Sequence, residues 1–274
     1  MMSTYKPAKT LDEQIKYLKE NKRVCFNIID EKHAKDILFK YNYINIITPF
    51  KHHFAKLSNK KEVIKENGNH VYESDVEFSE YYELYKNERK NYPLISKNII
   101  FFETIFKSIF SYTVLTTYTL ESKSDILSFL DAIRMRIPNN NHYNEERINH
   151  MNRHIDEIKA NINNYHDVYC FFDRMSLGQT LTVYCGLEYR EQDKIFKDCK
   201  NVGIDFGVDK TPDFISKFFT LIAVRNCVMH CNSLEILIRF YNPKTKALRD
   251  STNKKRFTTM IKYLSKEKGY TNMM

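Results

Sequence analysis

Apolar residues recur along this chain every three or four positions, the spacing that lines one face of a helix. Leu11, Ile15 and Leu18 form such a stripe. Thr10 and Glu13 precede and enter it as a capping box, in which each side chain satisfies a free backbone N–H of the other. Asp30 is placed to cap a second helix with Ala34, Ile37 and Leu38 facing inward. The segment NYINIITPF (42–50) reads as a helix or a short extended piece, punctuated by Pro49. Residues 57–75, polar around Gly68, read as a linker or surface loop.

From Phe78 two helical patterns follow, broken near Pro93. A short helix precedes the loop RIPNNNHYN (136–144), and Ile148, Met151, Ile155 and Ile158 mark an amphipathic helix after it. Residues 167–187 continue as helix, bent or interrupted near Gly178. Thr211, Pro212 and Asp213 make a final start: Thr as N-cap, Pro at the first helical position, Asp favourable to the dipole. That helix is expected to run through FISKFFTLIAVRNCVMHCNSLEILIRF.

Composition supports the same picture. Six Gly and six Pro in 274 residues fall well below the usual share of about 12%, so few turns and long helices are expected. No internal repeat is visible, and the fold class is all-α. Its expected parts are an N-terminal helical region (1–70), a helical domain (71–243) and a basic C-terminal tail (244–274). The apolar run Asn98–Leu120 is interrupted by Glu103 and Lys107, so it reads as a buried helix and not as a membrane span. The start MMSTYKPAKTLDEQ lacks the apolar segment of a signal peptide. Six cysteines without a disulfide-like spacing fit a reducing compartment. The expectation is a cytoplasmic protein with no membrane partner.

The net charge of +9 suits a polyanion such as RNA. Between Lys244 and Lys268 nine basic residues stand against two acidic ones, a local balance of +7. This tail is either a solvated, partly disordered segment or an extension of an RNA footprint, with Lys254, Lys255 and Arg256 as its candidate contacts.

The chemistry-bearing stretch is VRNCVMHCN (224–232), where Arg225, Asn226 and His230 interrupt an apolar helix. Arg-to-His separations of similar length occur at Arg136/His142 and Arg147/His154, so spacing alone carries little. Context separates the third: Asn226 and His230 lie one turn apart on one face, with Arg225 rotated by about 100°. A guanidinium suits a phosphate, and a histidine exchanges protons near neutrality. Together they permit metal-independent RNA cleavage by the neighbouring 2′-OH, leaving a 2′,3′-cyclic phosphate and a 5′-OH. One histidine cannot easily serve both sides of the phosphorus, so a two-fold dimer with two motifs is expected. The structural alternative pairs Arg225 in an ion pair and satisfies His230 with a core hydrogen bond.

Several blocks resemble the Abi-like proteins (the AbiD/AbiF group) of abortive-infection systems, which belong to the HEPN superfamily. Residues 11–43, ending in Asn42-Tyr43, are similar to the family's opening. FSEYYELYKNERKNY and IFFETIFKSIF look like its paired helices, and Ser176 with Gly178 resembles its SFG helix. LIAVRNCVMHCN matches its LRNxxxH block through Arg225, Asn226 and His230. Ile44-Asn45 replaces the usual Tyr-Arg, Thr48 the usual Gly, and Cys231 a frequent second His. The resemblance implies a HEPN bundle that dimerises into an endoribonuclease site, acting in phage defence or toxin–antitoxin growth arrest. It implies RNA as substrate and restraint by a small-RNA or protein antitoxin. A non-catalytic RNA-binding module of a defence complex is the alternative.

Other constellations carry less. Cys227, His230 and Cys231, with Cys185 and Cys199 as remote candidates, lack paired zinc spacing, so neither a metal nor another cofactor is expected. His150 and His154 read as a solvated helix face, and His52-His53 beside Lys51 as surface residues able to touch phosphate. Glu103 and Lys107 read as a helix pair, with a supporting role for Glu103 beside Arg225 as the other option. No phosphate-cradling glycine loop is present, which argues against an NTPase. Most of the 38 Tyr and Phe residues are expected in the core, since no Trp fills it.

Overall fold

The computed structural model describes residues 8–59, 63–66, 69–139, 143–164, 167–238 and 251–267, without the side chains of Asn139 and of 251–253. The fold is all-α. Its helices are α1 (Leu11–Lys22), α2 (Glu31–Tyr41), α3 (Tyr43–Ile46), α4 (Lys51–Phe54), α5 (Phe78–Arg89), α6 (Tyr92–Thr117) and α7 (Lys123–Arg136). They continue with α8 (Glu145–Ala160), α9 (Val168–Arg174), α10 (Leu177–Cys185), α11 (Tyr189–Asn201), α12 (Thr211–Met229), α13 (Glu235–Ile238) and α14 (Ser251–Leu264). Contacts group the chain into two units, residues 1–96 with 226–274, and residues 97–225. The compositional boundary near residue 70 falls inside the first unit.

In the first unit, capping chemistry sets the starts. Thr10 and Glu13 form the capping box of α1, and Asp30 accepts from His33 N to cap α2. Their inward faces, Ile15, Leu18, Ala34 and Leu38, pack with Ile46, Ile47, Phe50, Phe78 and Tyr81. Arg23 ends α1 in the left-handed region (φ 52°), and its side chain turns outward to Asp75 (2.8 Å) and the Glu73 carbonyl (2.9 Å). The next residues, strand β1 (Val24–Cys25), pair in parallel with a later strand at Val76–Glu77. Between them, residues 57–75 are more than a loop. Strands β2 (Lys65–Glu66) and β3 (Asn69–His70) pair antiparallel, and bridges join Ala55 to Tyr72 and Leu57 to Val63. Ala55, Val63 and Tyr72 form a small buried cluster, which three scattered apolar residues do not announce in sequence. Val76–Glu77 is strand β4.

Aromatic packing defines the second unit. The Phe106 ring centroid lies 4.3 Å from that of Phe218 and 5.5 Å from that of Tyr184. Phe214 packs at a tilt against Phe218 (5.0 Å) and Phe196 (5.0 Å), and Phe110 meets Phe172 edge-on. Phe102, Phe106, Phe110, Phe172, Phe214 and Phe218 are fully buried, so the phenylalanines do fill this core. By length and composition the stretch Phe78–Thr117 contains a run apolar enough to cross a membrane. One face of α6 (Ile99, Phe102, Phe106, Phe110, Val114) is nevertheless buried in protein.

Several boundaries differ from the sequence pattern. The interruption near Gly178 falls at Met175–Ser176, where Ser176 caps α10 in a capping box with Gln179. Thr211 is already helical, and its hydroxyl donates to Asp193 (3.2 Å) instead of capping. His154 does not sit on a solvated face: it is half-buried, its Nδ1 2.9 Å from Thr182 Oγ1. Glu103 and Lys107 do not pair with each other; Lys107 bonds the Asp173 carbonyl and Glu103 faces Arg225. Asn140–His142 and residues 239–250, including Lys244, Lys246 and Arg249 of the tail, lie outside the described residues.

Two glycines mark close helix approaches. A Cβ on Gly186 would meet Ile133 Cγ2 at 2.5 Å and the Ile133 carbonyl at 2.8 Å. At Gly178 the nearest atom is the His154 ring at 3.2 Å. A backbone obstacle cannot swing away, whereas a side chain can. Gly186→Ala is therefore expected to cost about 1–3 kcal/mol through overpacking, and Gly178→Ala less. Chemical denaturation of both variants checks the order; a larger loss at Gly178 contradicts it.

Candidate functional site

The helix carrying Arg225 does not run on to Phe240. It ends at Met229, because Cys231 adopts the left-handed conformation (φ 53°). Asn232 N donates to the Cys227 carbonyl (2.7 Å) and Cys231 N to the Val228 carbonyl (3.1 Å), the paired bonds of a Schellman stop. His230 N still donates to the Asn226 carbonyl at 3.1 Å. Asn226 and His230 thus occupy the last turn, and both are exposed.

Arg225 belongs to the second unit and is partly buried. Its Nε stands 3.7 Å from Glu103 Oε2, with side-chain exposures of 31% and 22%. An ion pair at that distance orients a guanidinium without enclosing it. Glu103 also lines a groove of about 650 Å³ on α6, with Lys107, Ser108 and Ser111 and the exposed rings of Tyr112 and Tyr169.

In the first unit, three α5–α6 residues hold the chain that follows His230. Arg89 donates to the Cys231 carbonyl (2.6 Å) and lies over the Tyr92 ring (4.5 Å). Tyr92 Oη donates to the Asn232 carbonyl (2.7 Å). Glu88 Oε1 accepts from Ser233 Oγ (2.8 Å) and Glu235 N (3.0 Å). Burial raises the Glu88 pKa above its ordinary value, opposed by these bonds and by Arg89. Sequence reasoning missed this trio: Glu88, Arg89 and Tyr92 stand in the block KNERKNY and show no periodic or catalytic signal.

The other candidates are placed plainly. Lys254 and Lys255 are exposed on α14, lining a shallow depression with Thr258, Thr259 and Lys262, and Arg256 is half-buried there. Among the described residues, no hydrogen bond or ion pair links Lys254 or Lys255 to the motif. Cys227 is buried and Cys231 exposed. The metal-type cluster is a different one: His52, His53 and Glu235 bring one ligand atom each within 4.8 Å of one another. Glu235 Oε1 lies 2.9 Å from His53 Nε2 and 3.3 Å from His52 Nε2. Those contacts already form a hydrogen-bonded network, while the ligand types also suit a divalent ion.

A predominantly helical chain in which a buried helix stops on an Arg-Asn-x3-His turn is the class that fold and site define. The chain belongs to the Abi-like protein family, whose model matches residues 36–234. The matched span includes Arg225, Asn226 and His230 and the segments that hold them, and membership points to a role in abortive infection. No curated protein and no solved structure matches the chain.

Glu88 gives a pH test. A raised value means that the folded protein holds this proton more tightly than the unfolded chain does. The associated stability is present below the ordinary value of 4.5 and fades as pH rises through the raised one. Glu88→Gln keeps an acceptor oxygen but does not titrate. Wild type is expected to gain stability relative to this variant as pH falls from neutral to below 4.5. Melting temperatures across that range decide, and a constant difference overturns the assignment.

Proposed function

We propose that this Abi-like protein is a metal-independent HEPN endoribonuclease of an abortive-infection or toxin–antitoxin system. The observation that carries the proposal is the end of α12. There Arg225 is oriented by Glu103 (3.7 Å), and His230 is presented at the surface one turn after Asn226. The structural alternative expects an ion-paired Arg225, which Glu103 provides, and a satisfied core histidine, which the exposed His230 is not.

In this mechanism Arg225 holds the scissile phosphate and the charge that grows on it, a role suited to a fixed guanidinium fork. His230 exchanges the proton of the 2′-OH or of the leaving 5′-oxygen, and Asn226 positions the reacting groups. The 2′-oxygen attacks phosphorus, the P–O5′ bond breaks, and a 2′,3′-cyclic phosphate and a 5′-OH result. DNA lacks the nucleophile and is inert by this route. A homodimer supplies the second His230 for the opposite side of the phosphorus. Tyr112 and Tyr169, exposed on the groove that contains Glu103, are suited to stack on unpaired bases. A small-RNA or protein antitoxin would restrain the enzyme until infection.

The test is cleavage of RNA in EDTA after copurifying nucleic acid has been removed. Wild type should give fragments ending in 2′,3′-cyclic phosphate. His230→Ala should lose about 10²–10⁴-fold in rate while keeping its melting temperature, because the residue is exposed. Arg225→Ala should lose activity as well. Equal RNA affinity of wild type and His230→Ala with no cleavage by either would instead favour a non-catalytic RNA-binding module.

A further inference from the structure

A cleft of about 990 Å³ opens in the first unit between α1, α3 and the β2–β3 hairpin. Lys9, Lys22, Lys51, Lys65 and His70 line it, and among the described residues no aspartate or glutamate does. Lys22 is the telling member. It is the last residue of α1 and only 7% exposed. Among the described residues its ammonium has one hydrogen-bond partner, Tyr72 Oη at 2.9 Å, and no carboxylate. The rings of Tyr72 (5.2 Å) and Tyr17 (5.9 Å) supply the rest of its surroundings.

Buried lysines are rare unless paired, because an ammonium removed from water needs a compensating charge. The C-terminal end of α1 and the two ring faces give part of that compensation. Neighbouring charge works the other way. Burial and the nearby Lys51 push Lys22 down to about 8. Burial with Lys51, Lys22, Lys65 and His52 pushes His70 down to about 4. The fold keeps Lys22 in this position: Arg23 turns outward to Asp75 and Glu73, and β1 then pairs with β4.

We infer that this cleft is an anion site that binds the phosphate of a nucleotide, with Lys22 and Lys51 as its principal cations. Four amide side chains on its walls, Gln14, Asn21, Asn42 and Asn69, and the Tyr17 ring favour a nucleotide over inorganic phosphate. Asn69 is held in place by the Tyr17 hydroxyl at 3.1 Å. Adenosine 5′-monophosphate and the 5′-phosphate of an RNA strand share this chemistry. The site is separate from Arg225, Asn226 and His230, so the inference stands whether or not the chain cleaves RNA.

The experiment uses the full chain carrying His230→Ala, so that no probe is consumed. Melting temperature and calorimetric binding are measured with adenosine 5′-monophosphate, and with an RNA octamer bearing a 5′-phosphate or a 5′-hydroxyl. Sodium chloride of equal ionic strength is the control. A phosphate probe should raise the melting temperature beyond the salt control. Full gain with the mononucleotide identifies a free nucleotide as the source, and gain restricted to the 5′-phosphorylated octamer identifies a strand end. Added Lys22→Met should raise the melting temperature without ligand and abolish the phosphate-dependent gain. Added Lys51→Gln, at a more exposed position, should weaken phosphate binding at least tenfold with the fold intact. The inference is overturned if no phosphate probe exceeds the salt control. It is equally overturned if the Lys22→Met and Lys51→Gln chains both keep the full gain.

Discussion

A single carboxylate oxygen, Glu88 Oε1, holds the chain that follows the motif. It receives the Ser233 hydroxyl and the Glu235 amide, and it does so at the cost of partial burial. Helix α12 needs such an anchor because it stops abruptly. Cys231, in the left-handed region, turns the chain away, and Arg89 and Tyr92 take the carbonyls of Cys231 and Asn232. Without those acceptors and donors the last turn, with Asn226 and His230, would fray, as helix ends do. The placement of the segment that follows His230 therefore depends on residues more than 130 positions earlier in the chain.

The helices were legible in sequence because their causes are local. Thr10 with Glu13 and Asp30 are caps that satisfy N–H groups within three residues, and Pro93 lies in the first turn of α6, where its missing donor costs nothing. The β2–β3 hairpin was not legible. Its strands are two residues long, and its buried cluster draws Ala55, Val63 and Tyr72 from separate turns. The end of α12 was misread for a related reason. Cys231 and Asn232 have no helix-stopping propensity as strong as Gly or Pro, and the stop is enforced by the distant Arg89 and Tyr92.

The candidate site was visible only where residue type carries chemistry by itself. Arg225, Asn226 and His230 stand out against an apolar helix, and the Abi-like family spans them. Glu103 was found through a spacing that pointed to the wrong partner, since four residues of separation matched it to Lys107 while the fold turns it to Arg225. Glu88 and Lys22 gave no signal. A lysine among 43 basic residues looks like any surface charge until burial distinguishes it, and burial is a property of the fold.

The first unit is built from both ends of the chain, residues 1–96 and 226–274, whereas the second is continuous. During synthesis the continuous unit has all of its own contacts available as soon as residue 225 emerges. In the first unit the core from Ile15 to Tyr81 is local, but the partners of Glu88, Arg89 and Tyr92 are made more than a hundred residues later. A chain that ends early therefore lacks the segment that fixes the last turn of α12.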